Sequence, residues 1–429
     1  MSWDKSVVRL GLGQGGAVVN RRHFLKAVTL GAAGAASVSF TDLLSLQAAD
    51  LRKRNMACIL LWMGGGPSQL ETWDPKPDHE HGGGTKSIET AVPGIRIAKG
   101  WEKTAQVMGD LALIRSMSSK EGNHDRATYQ LHTGYVPSGS VRHPGLGSLT
   151  AAELGDPKFD LPHVVSIGGP TTGAGLLGAQ YEPFVIRDPE KPPQNTTLPV
   201  EVRRFDRRIG LLGSLEQVAF GAKGGGDRVN DHAALYKQTR NMVLSPHMKA
   251  FDLATEDPKT RAAYGDTPFG NGCLLARRLV EVGVTFVEVR SGGWDTHTLL
   301  DLSAKAAPVD AGASALIADL KSRGRLDTTL VVWMGEFGRT PKISARGGRD
   351  HFPRAFSMAL AGGGVKGGQV IGATTPDGSA VADHPVAVND LLTSVFHSLK
   401  VDPTKENMSP AGRPIKIVDG GKLIAPLFG

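Results

Sequence analysis

The sequence contains very little cysteine. Only Cys58 and Cys273 occur in 429 residues, and both lie in apolar segments. A disulfide framework is therefore excluded as the main source of stability; two buried thiols are the simpler interpretation, and a single bridge stays open. Aromatic residues are also few, at 6%, whereas 40% of the residues are hydrophobic and 21% are charged. This balance is typical of a globular chain and excludes fibrous and disordered classes.

The chain also lacks a block of like charge and a long hydrophobic run. Its formal net charge of +7 is spread along the sequence, and the pairs Arg203-Arg204 and Arg207-Arg208 are interleaved with other residues, as on a solvated helix face. We therefore expect no nucleic-acid partner. The apolar run over residues 27–40 is too short and too rich in glycine for a membrane span, so we expect no stable membrane span.

The first 49 residues have the order of an export signal. Residues 20–26, Asn-Arg-Arg-His-Phe-Leu-Lys, match the twin-arginine consensus, and they precede the apolar run and small residues at 47–49. We predict that 1–49 is a twin-arginine signal segment and that 50–429 is the mature chain. The expected partner during export is the twin-arginine translocase, and the expected location is periplasmic or extracellular.

Short apolar runs predict the buried strands of a mainly parallel sheet, and helical patterns over residues 272–282, 308–321 and 386–399 alternate with them. The predicted strands are Ala57–Met63, Leu111–Met117, His163–Ile167, Thr285–Val289, Leu330–Met334 and Phe356–Leu360. Residues 170–200 have no periodicity and are predicted to be a loop insertion, and residues 203–255 a helical lid or subdomain. The predicted class is α/β.

Acidic and histidine residues follow four of these predicted strands. They lie within residues 64–74, 118–126, 290–297 and 335–351, among glycines that allow tight turns. Ligands bind outside the carboxyl ends of the strands in an open parallel sheet, so we expect these side chains to meet at one edge. Carboxylates together with imidazoles suit a cation such as Zn²⁺ or Mn²⁺.

Two motifs supply the strongest candidate ligands. Asp295 and His297 are two residues apart, so both side chains can face one ion if the segment is extended. The alternative is that Asp295 caps a turn and His297 bonds a backbone carbonyl. Asp350 and His351 are adjacent and should diverge, and we expect His351 to point inward.

Other candidates have equally simple structural alternatives. Glu336 stands where a strand meets a turn and is either a ligand or the partner of a nearby arginine. Ser68 follows a Gly-Gly-Gly-Pro turn that resembles a phosphate-cradling loop, although Pro67 removes one donor. His124 and Asp125 begin a predicted helix, where Asp125 suits N-terminal capping.

Several segments resemble a known superfamily. Residues 326–338 are similar to the sulfatase strand that leads into a metal motif, and residues 126–134 resemble the helix behind the sulfatase nucleophile. More specifically, residues 65–68, 293–297, 335–341 and 350–352 are similar to DUF1501, a family of secreted proteins in the alkaline phosphatase and sulfatase superfamily. The resemblance covers nearly all of the mature chain. It implies a three-layer αβα sandwich that is alkaline phosphatase-like.

The sequence also departs from the sulfatase pattern. Gly64-Gly65 stands where sulfatases have an aspartate pair, and Glu336-Phe337 stands where they have Asp-His. The sulfatase nucleophile aligns near His124, and no cysteine is close to it. The resemblance nevertheless implies an exported, metal-dependent, hydrolase-like protein acting on small-molecule or polysaccharide esters of sulfate or phosphate.

The resemblance assigns roles to individual residues. The expected cofactor is a divalent metal, one of Zn, Mn, Ca or Mg. The expected metal ligands are Asp295, His297, His351, Glu336 and Glu71; the expected catalytic residues are Ser68 and His124; and the expected substrate-binding residues are Arg126 and Arg339. Arginine suits sulfate and phosphate because its planar guanidinium matches their geometry. The alternative is a catalytically inactive, sulfatase-like binding protein that recognises a glycan or a cell-surface partner.

Overall fold

The computed structural model divides the chain into two units, Met1–Asp50 and Leu51–Gly429. It describes residues 7–10, 17–20, 56–139, 141–196, 198, 200–220, 227–298, 300–409 and 411–429. In the first unit, two short strands pair antiparallel. The predicted arginine pair and the apolar run of the signal segment lie outside the described residues. No helix among the described residues is both long and apolar enough to cross a membrane.

The described part of the chain contains nineteen strands and nine α-helices. The strands are β1 (Val7–Leu10), β2 (Ala17–Asn20), β3 (Ala57–Met63), β4 (Ser87–Glu89), β5 (Arg96–Ala98), β6 (Leu111–Ser118), β7 (Val164–Ile167), β8 (Phe184–Ile186), β9 (Phe286–Ser291), β10 (Thr329–Met334), β11 (Gly338–Arg339), β12 (His351–Phe352), β13 (Phe356–Ala361), β14 (Gln369–Ile371), β15 (Ala373–Thr374), β16 (Val381–Asp383), β17 (Val386–Ala387), β18 (Glu406–Met408) and β19 (Pro414–Lys416). The α-helices are α1 (Glu102–Gln106), α2 (His124–Thr133), α3 (Leu146–Leu154), α4 (Val202–Phe220), α5 (Asp227–Leu244), α6 (Pro258–Tyr264), α7 (Pro268–Val282), α8 (Ser303–Ser322) and α9 (Val388–Ser398).

Nine strands form the central sheet of the second unit. Their order is β14-β6-β13-β10-β3-β9-β7-β8, and β17 pairs with β6 at the side. Only β13 runs antiparallel to its neighbours in this sheet, so the predicted mainly parallel sheet is confirmed. The six predicted strands all lie in it, with bounds shifted by two residues or fewer. The predicted loop insertion at 170–200 contains the edge strand β8.

Helices cover both faces of the sheet, because its central strands are apolar on both sides. Alternate residues of β3 belong to two separate cores: Ile59 and Leu61 pack in the core that contains α7 and α8, and Leu60 packs in the core that contains α3 and α9. Each such aliphatic side chain contributes about 1.5–3 kcal/mol when it is fully buried. The predicted three-layer αβα arrangement is therefore confirmed.

Local capping places the start of α2 at the sheet edge. Asn123 accepts a hydrogen bond from the backbone N–H of Arg126, and the helix ends at Gly134, whose φ is 77°. Asn123 is thus the capping residue, although the sequence pattern suited Asp125 to this role. His124 becomes the first residue of α2 and lies directly beyond the end of β6.

Candidate metal centre

The candidate site lies beyond the carboxyl ends of the central strands. β3 runs between β9 and β10, with Met63 opposite Ser291 and Trp62 opposite Met334. The three loops that follow these strands therefore start at the same edge of the sheet. The loop after β6, which supplies His124, starts at that edge as well, because Met117 pairs with Phe356 at the start of the antiparallel strand β13.

Three imidazoles face one carboxylate at this edge. His124, Asp295 and His351 each offer a ligand atom, and these atoms lie within 4.8 Å of one another. Nε2 of His124 is 3.2 Å from Asp295 Oδ2, and Nε2 of His351 is 3.2 Å from Asp295 Oδ1. Nε2 of His297 is 2.9 Å from the same Oδ1. The Asp295 side chain is 44% exposed, so the cluster is open to solvent.

In each of the three imidazoles, the nitrogen that does not face Asp295 contacts an oxygen atom. The Nδ1 contacts are His124 to Glu336 Oε1 at 2.5 Å, His297 to Asp350 Oδ1 at 2.9 Å, and His351 to the carbonyl of Gly122 at 2.8 Å. A carbonyl oxygen can only accept, so we assign the proton of neutral His351 to Nδ1 and the lone pair to Nε2. Histidines that ligate a metal are oriented in this way by acceptors on their other nitrogen.

Two buried polar atoms of the cluster have no hydrogen-bond partner: Nε2 of His124 and Oε2 of Glu336. The His124 nitrogen is near Asp295 but outside hydrogen-bond geometry. Leaving a buried polar atom unpaired is costly, and a lone pair that faces a carboxylate is repelled by it unless a proton or a cation lies between them. Two imidazoles and a carboxylate are a donor set that suits Zn²⁺ or Mn²⁺, so the residues present fit a divalent cation.

The charges of the cluster favour an ionised carboxylate. Burial raises the pKa of Asp295, but the hydrogen bond and the positive charge of Arg339 act in the opposite direction, and that pKa lies well below its usual value. The hydrogen bond to Glu336 raises the pKa of His124 above its usual value, with burial acting in the opposite direction. Asp295 therefore stays negative at neutral pH and attracts cations.

Arg339 lies beneath the cluster and is buried, at 2% exposure. Its Nε donates to the carbonyl of Gly66 at 2.8 Å, and its Nη2 donates to the carbonyl of Gly65 and to Asp295 Oδ1, the latter at 2.6 Å. These bonds tie the turn after β3 to the loop after β9. Arg339 was predicted to bind substrate. In the structure its contacts hold two loops of the site together.

Glu71 lies away from the cluster in a buried ion pair. Its Oε1 is 2.8 Å from Nη2 of Arg349, and both of its oxygens are 3.1 Å from Nε of that arginine. Thr85 also donates to Glu71. Glu71 further lines a cavity of about 510 Å³, and none of the cluster residues borders that cavity. The structure therefore does not bring this predicted ligand to the candidate centre.

Ser68 and Arg126 also lie outside the group of three ligands. Ser68 is 3% exposed, and its Oγ accepts a hydrogen bond from the backbone N–H of Leu70 at 3.2 Å. Arg126 is exposed and pairs with Glu121, with Nη2 and Oε1 2.7 Å apart. In the described part of the chain, no contact joins either side chain to Asp295.

The glycine turn after β3 allows the loops to approach each other. Gly65 has φ of 113°, and a Cβ at this position would lie 2.3 Å from the backbone nitrogen of Asp295. Its N–H donates to Glu336 Oε1 at 2.8 Å. Phe337, which is buried, packs its ring against the rings of His124 and His351, at centroid distances of 4.8 and 4.7 Å. The turn thus serves close packing, a use of glycine that requires no bound phosphate.

Two residues were not assigned roles from the sequence. Asp350 was considered only as the neighbour of His351, yet it holds Nδ1 of His297. Arg346, which is 57% exposed, donates to Asp350 and has its Nη2 3.1 Å from His297 Nδ1. The sequence feature that could have indicated these two residues is the Gly-Gly pair between Arg346 and Arg349. Such a pair predicts a tight turn, and in the structure this turn packs against the loop after β9.

No curated protein matched the sequence. Among solved structures, similar chains include the PsFucS1 sulfatase from Pseudoalteromonas sp., with 12% identity, TM-score 0.38, and coverage of 83% of this chain and 72% of that chain. The alkaline phosphatase from the Antarctic bacterium TAB5 has 11% identity, TM-score 0.34, and coverage of 80% and 98%. The phosphonate monoester hydrolase SpPMH from Silicibacter pomeroyi has 12% identity, TM-score 0.33, and coverage of 87% and 76%. Similarity at this level carries no inference about activity.

The family match is more extensive. The family model described as "Protein of unknown function (DUF1501)" matches residues 55–428, which is nearly the whole second unit. The sequence motifs that resemble this family include the loops that carry Asp295, His297, Glu336 and His351. The chain therefore belongs to the DUF1501 family.

Proposed function

We propose that this protein is an exported, metal-dependent hydrolase of phosphate or sulfate esters, including those of polysaccharides. The observation that carries the proposal is the buried Nε2 of His124, which has no hydrogen-bond partner and faces the ionised carboxylate of Asp295. The resemblance of the strand-end motifs to the sulfatase and phosphatase superfamily supports the ester class.

The cluster residues divide into ligands and positioning residues. His124, Asp295 and His351 would hold the divalent cation, and Glu336 fixes the ring of His124 through Nδ1. Such a cation would neutralise charge on the ester oxygens and lower the pKa of a water molecule. The carbonyl of Gly122 holds the ring of His351 in the same manner.

Two residues beside the ligands complete the chemistry. His297 lies next to Asp295 with its Nδ1 held by Asp350, so its Nε2 is placed to give a proton to a leaving oxygen or accept one from water. Arg346 is exposed at the rim and offers its remaining donors to an anionic group of the substrate. Neither role needs a side-chain nucleophile.

A catalytically inactive binding protein is the second candidate. It is favoured by the burial of Ser68 and by the pairing of Arg126 with Glu121, because neither residue is then free to act on a substrate. In this case the exposed cluster would recognise a glycan or a cell-surface partner through a bound cation.

Export is a separate part of the proposal. It rests on the arginine pair at residues 21 and 22 and on the apolar run that follows. Replacing both arginines by lysine should retain the protein in the cytoplasm, as measured by cell fractionation and blotting. A variant that still reaches the periplasm would refute twin-arginine export.

The experiment for activity combines metal analysis with turnover. Protein purified without added metal is analysed by mass spectrometry for Zn, Mn, Ca and Mg, and it is assayed with aryl phosphates and aryl sulfates. His124→Ala and His351→Ala are compared with His397→Ala, an exposed histidine on α9. We expect close to one ion per chain in the parent and the control, and loss of both metal and turnover in the cluster variants.

The outcomes separate the two candidates. Bound metal with turnover of either ester supports the hydrolase. Bound metal without turnover of any ester supports the binding protein. Absence of metal from the parent, even after incubation with each cation, overturns both.

A further inference from the structure

Exposed hydrophobic side chains are concentrated on α4 and α5, two helices that carry none of the cluster residues. Seven of the eleven large hydrophobic residues that are exposed among the described residues belong to these two helices: Val202, Leu211, Leu215, Val218, Leu235, Tyr236 and Leu244. Scattered exposed residues of this kind are ordinary, but a concentration on one element marks an interaction surface.

Two cross-helix pairs fix the orientation of α4. Asp206 accepts a hydrogen bond from Arg240 at 2.5 Å, and Glu216 lies 2.5 Å from Nδ1 of His232. The acidic side chains of α4 therefore face α5. In turn, α5 is attached to the rest of the unit, because Asp231 accepts a hydrogen bond from the backbone of Ala179.

The face of α4 that is turned away from α5 is apolar in its second half. Leu211, Leu215 and Val218 are 61%, 57% and 83% exposed. Their spacing of four and seven residues places them on one side of a helix. No described residue covers them.

The first two turns of the same helix are basic. Arg203, Arg204, Arg207 and Arg208 are all exposed, and none forms an ion pair with another residue that the structure describes. Arg204 and Arg208 continue the stripe that leads to Leu211 and Leu215. The outer face of α4 is therefore basic at its N-terminal end and apolar at its C-terminal end.

We propose that this outer face, formed by Arg203, Arg204, Arg207, Arg208, Leu211, Leu215 and Val218, docks on an anionic lipid surface. Arginines on such a helix contact lipid phosphates, and leucines enter the boundary between headgroups and acyl chains. A second copy of the chain would place these arginines against arginines or leucines, without an acidic partner. A soluble polyanion would leave the apolar half uncovered.

Vesicle binding by the whole chain tests the proposal. Co-sedimentation is measured with vesicles of phosphatidylglycerol mixed with phosphatidylcholine, and with phosphatidylcholine alone. The variants are R204E/R207E/R208E and L211S/L215S. The matched control is K158E/K366E/K422E, which makes the same change in net charge at exposed lysines elsewhere. Circular dichroism verifies that each variant is folded, and size-exclusion chromatography reports the oligomeric state.

We expect the parent to bind the anionic vesicles and not those of phosphatidylcholine alone. The arginine variant should bind about 100-fold or more weakly, because it removes three arginines and each arginine near the surface contributes about 1 kcal/mol. The leucine variant should bind about threefold or more weakly, and the lysine control should match the parent. The proposal is overturned if the parent does not bind, if the lysine control weakens as much as the arginine variant, or if L211S/L215S changes only the oligomeric state.

Discussion

Glu336→Gln is the sharpest test of the candidate metal centre, because it removes a charge and keeps the shape of the side chain. Glu336 is 2% exposed, and its Oε1 contacts both Nδ1 of His124 and the N–H of Gly65. A glutamine oxygen can accept the same two hydrogen bonds. The amide NH₂ then replaces Oε2, an atom that is buried and has no partner.

The size of the effect follows from these contacts. A hydrogen bond to a charged group contributes about 1.5–3 kcal/mol, and one between neutral groups contributes about 1 kcal/mol. The substitution should therefore weaken the hold on His124 by roughly 1–2 kcal/mol, and losses of about 10–100-fold in metal affinity are usual for partners of ligating histidines. We expect the dissociation constant for Zn²⁺ or Mn²⁺ to rise about tenfold, as measured by calorimetric titration of metal-free protein.

Glu288→Gln supplies a matched control. Glu288 is fully buried and lies 3.2 Å from Nε2 of a different histidine, His132, so the same substitution removes a similar buried pair. It should lower thermal stability and leave metal affinity unchanged. The reasoning is refuted if Glu336→Gln binds metal as tightly as the parent, or if the control weakens binding equally.

Three further predictions concern the buried ion pair of Glu71, the turn at Gly65, and the ion pairs that Glu256 forms with Arg277 and Arg278. Glu71→Gln should lower the free energy of unfolding, measured with denaturant, by about 3–5 kcal/mol, because it leaves the buried charge of Arg349 uncompensated. The metal content should not change, and a loss of metal would show that Glu71 is a ligand. Gly65→Ala should abolish metal binding, because its Cβ would collide with the backbone nitrogen of Asp295, and an unchanged affinity in a folded variant would contradict this geometry. Burial raises the pKa of Glu256, but hydrogen bonds from the neighbouring arginines outweigh it and lower that pKa overall. The ionised carboxylate therefore stabilises the fold fully above the ordinary pKa of about 4.3, and this stabilisation is lost as the pH falls through the lowered pKa. Glu256→Gln should accordingly flatten the acidic limb of a plot of stability against pH, and an unchanged slope would argue against the pairing.

The central sheet was predictable because its strands carry their own signal. β3 is a run of seven apolar residues, all of them buried, and it is followed directly by glycines. The edge strands β8, β14 and β17 have two or three residues each, with mixed burial. Their conformation depends on pairing with a neighbour that is remote in sequence, so no local sequence pattern predicts them.

The site was predictable to the extent that topology determines it. The ends of parallel strands meet at one edge, and this rule is sufficient to expect Asp295, His297 and His351 in one place. The individual partners were not accessible in this way. Glu71 pairs with Arg349 across 278 residues of sequence and Glu336 pairs with His124 across 212, and nothing in the spacing of these residues selects one partner over another.

The cluster is assembled from loops that are remote from one another along the chain. A partly folded form that lacks any one of these loops has no complete ligand set, so a cation would be bound only once the sheet is complete. Bound metal should consequently slow hydrogen exchange throughout the buried strands, by the factor expected from mass action, instead of protecting the loops alone.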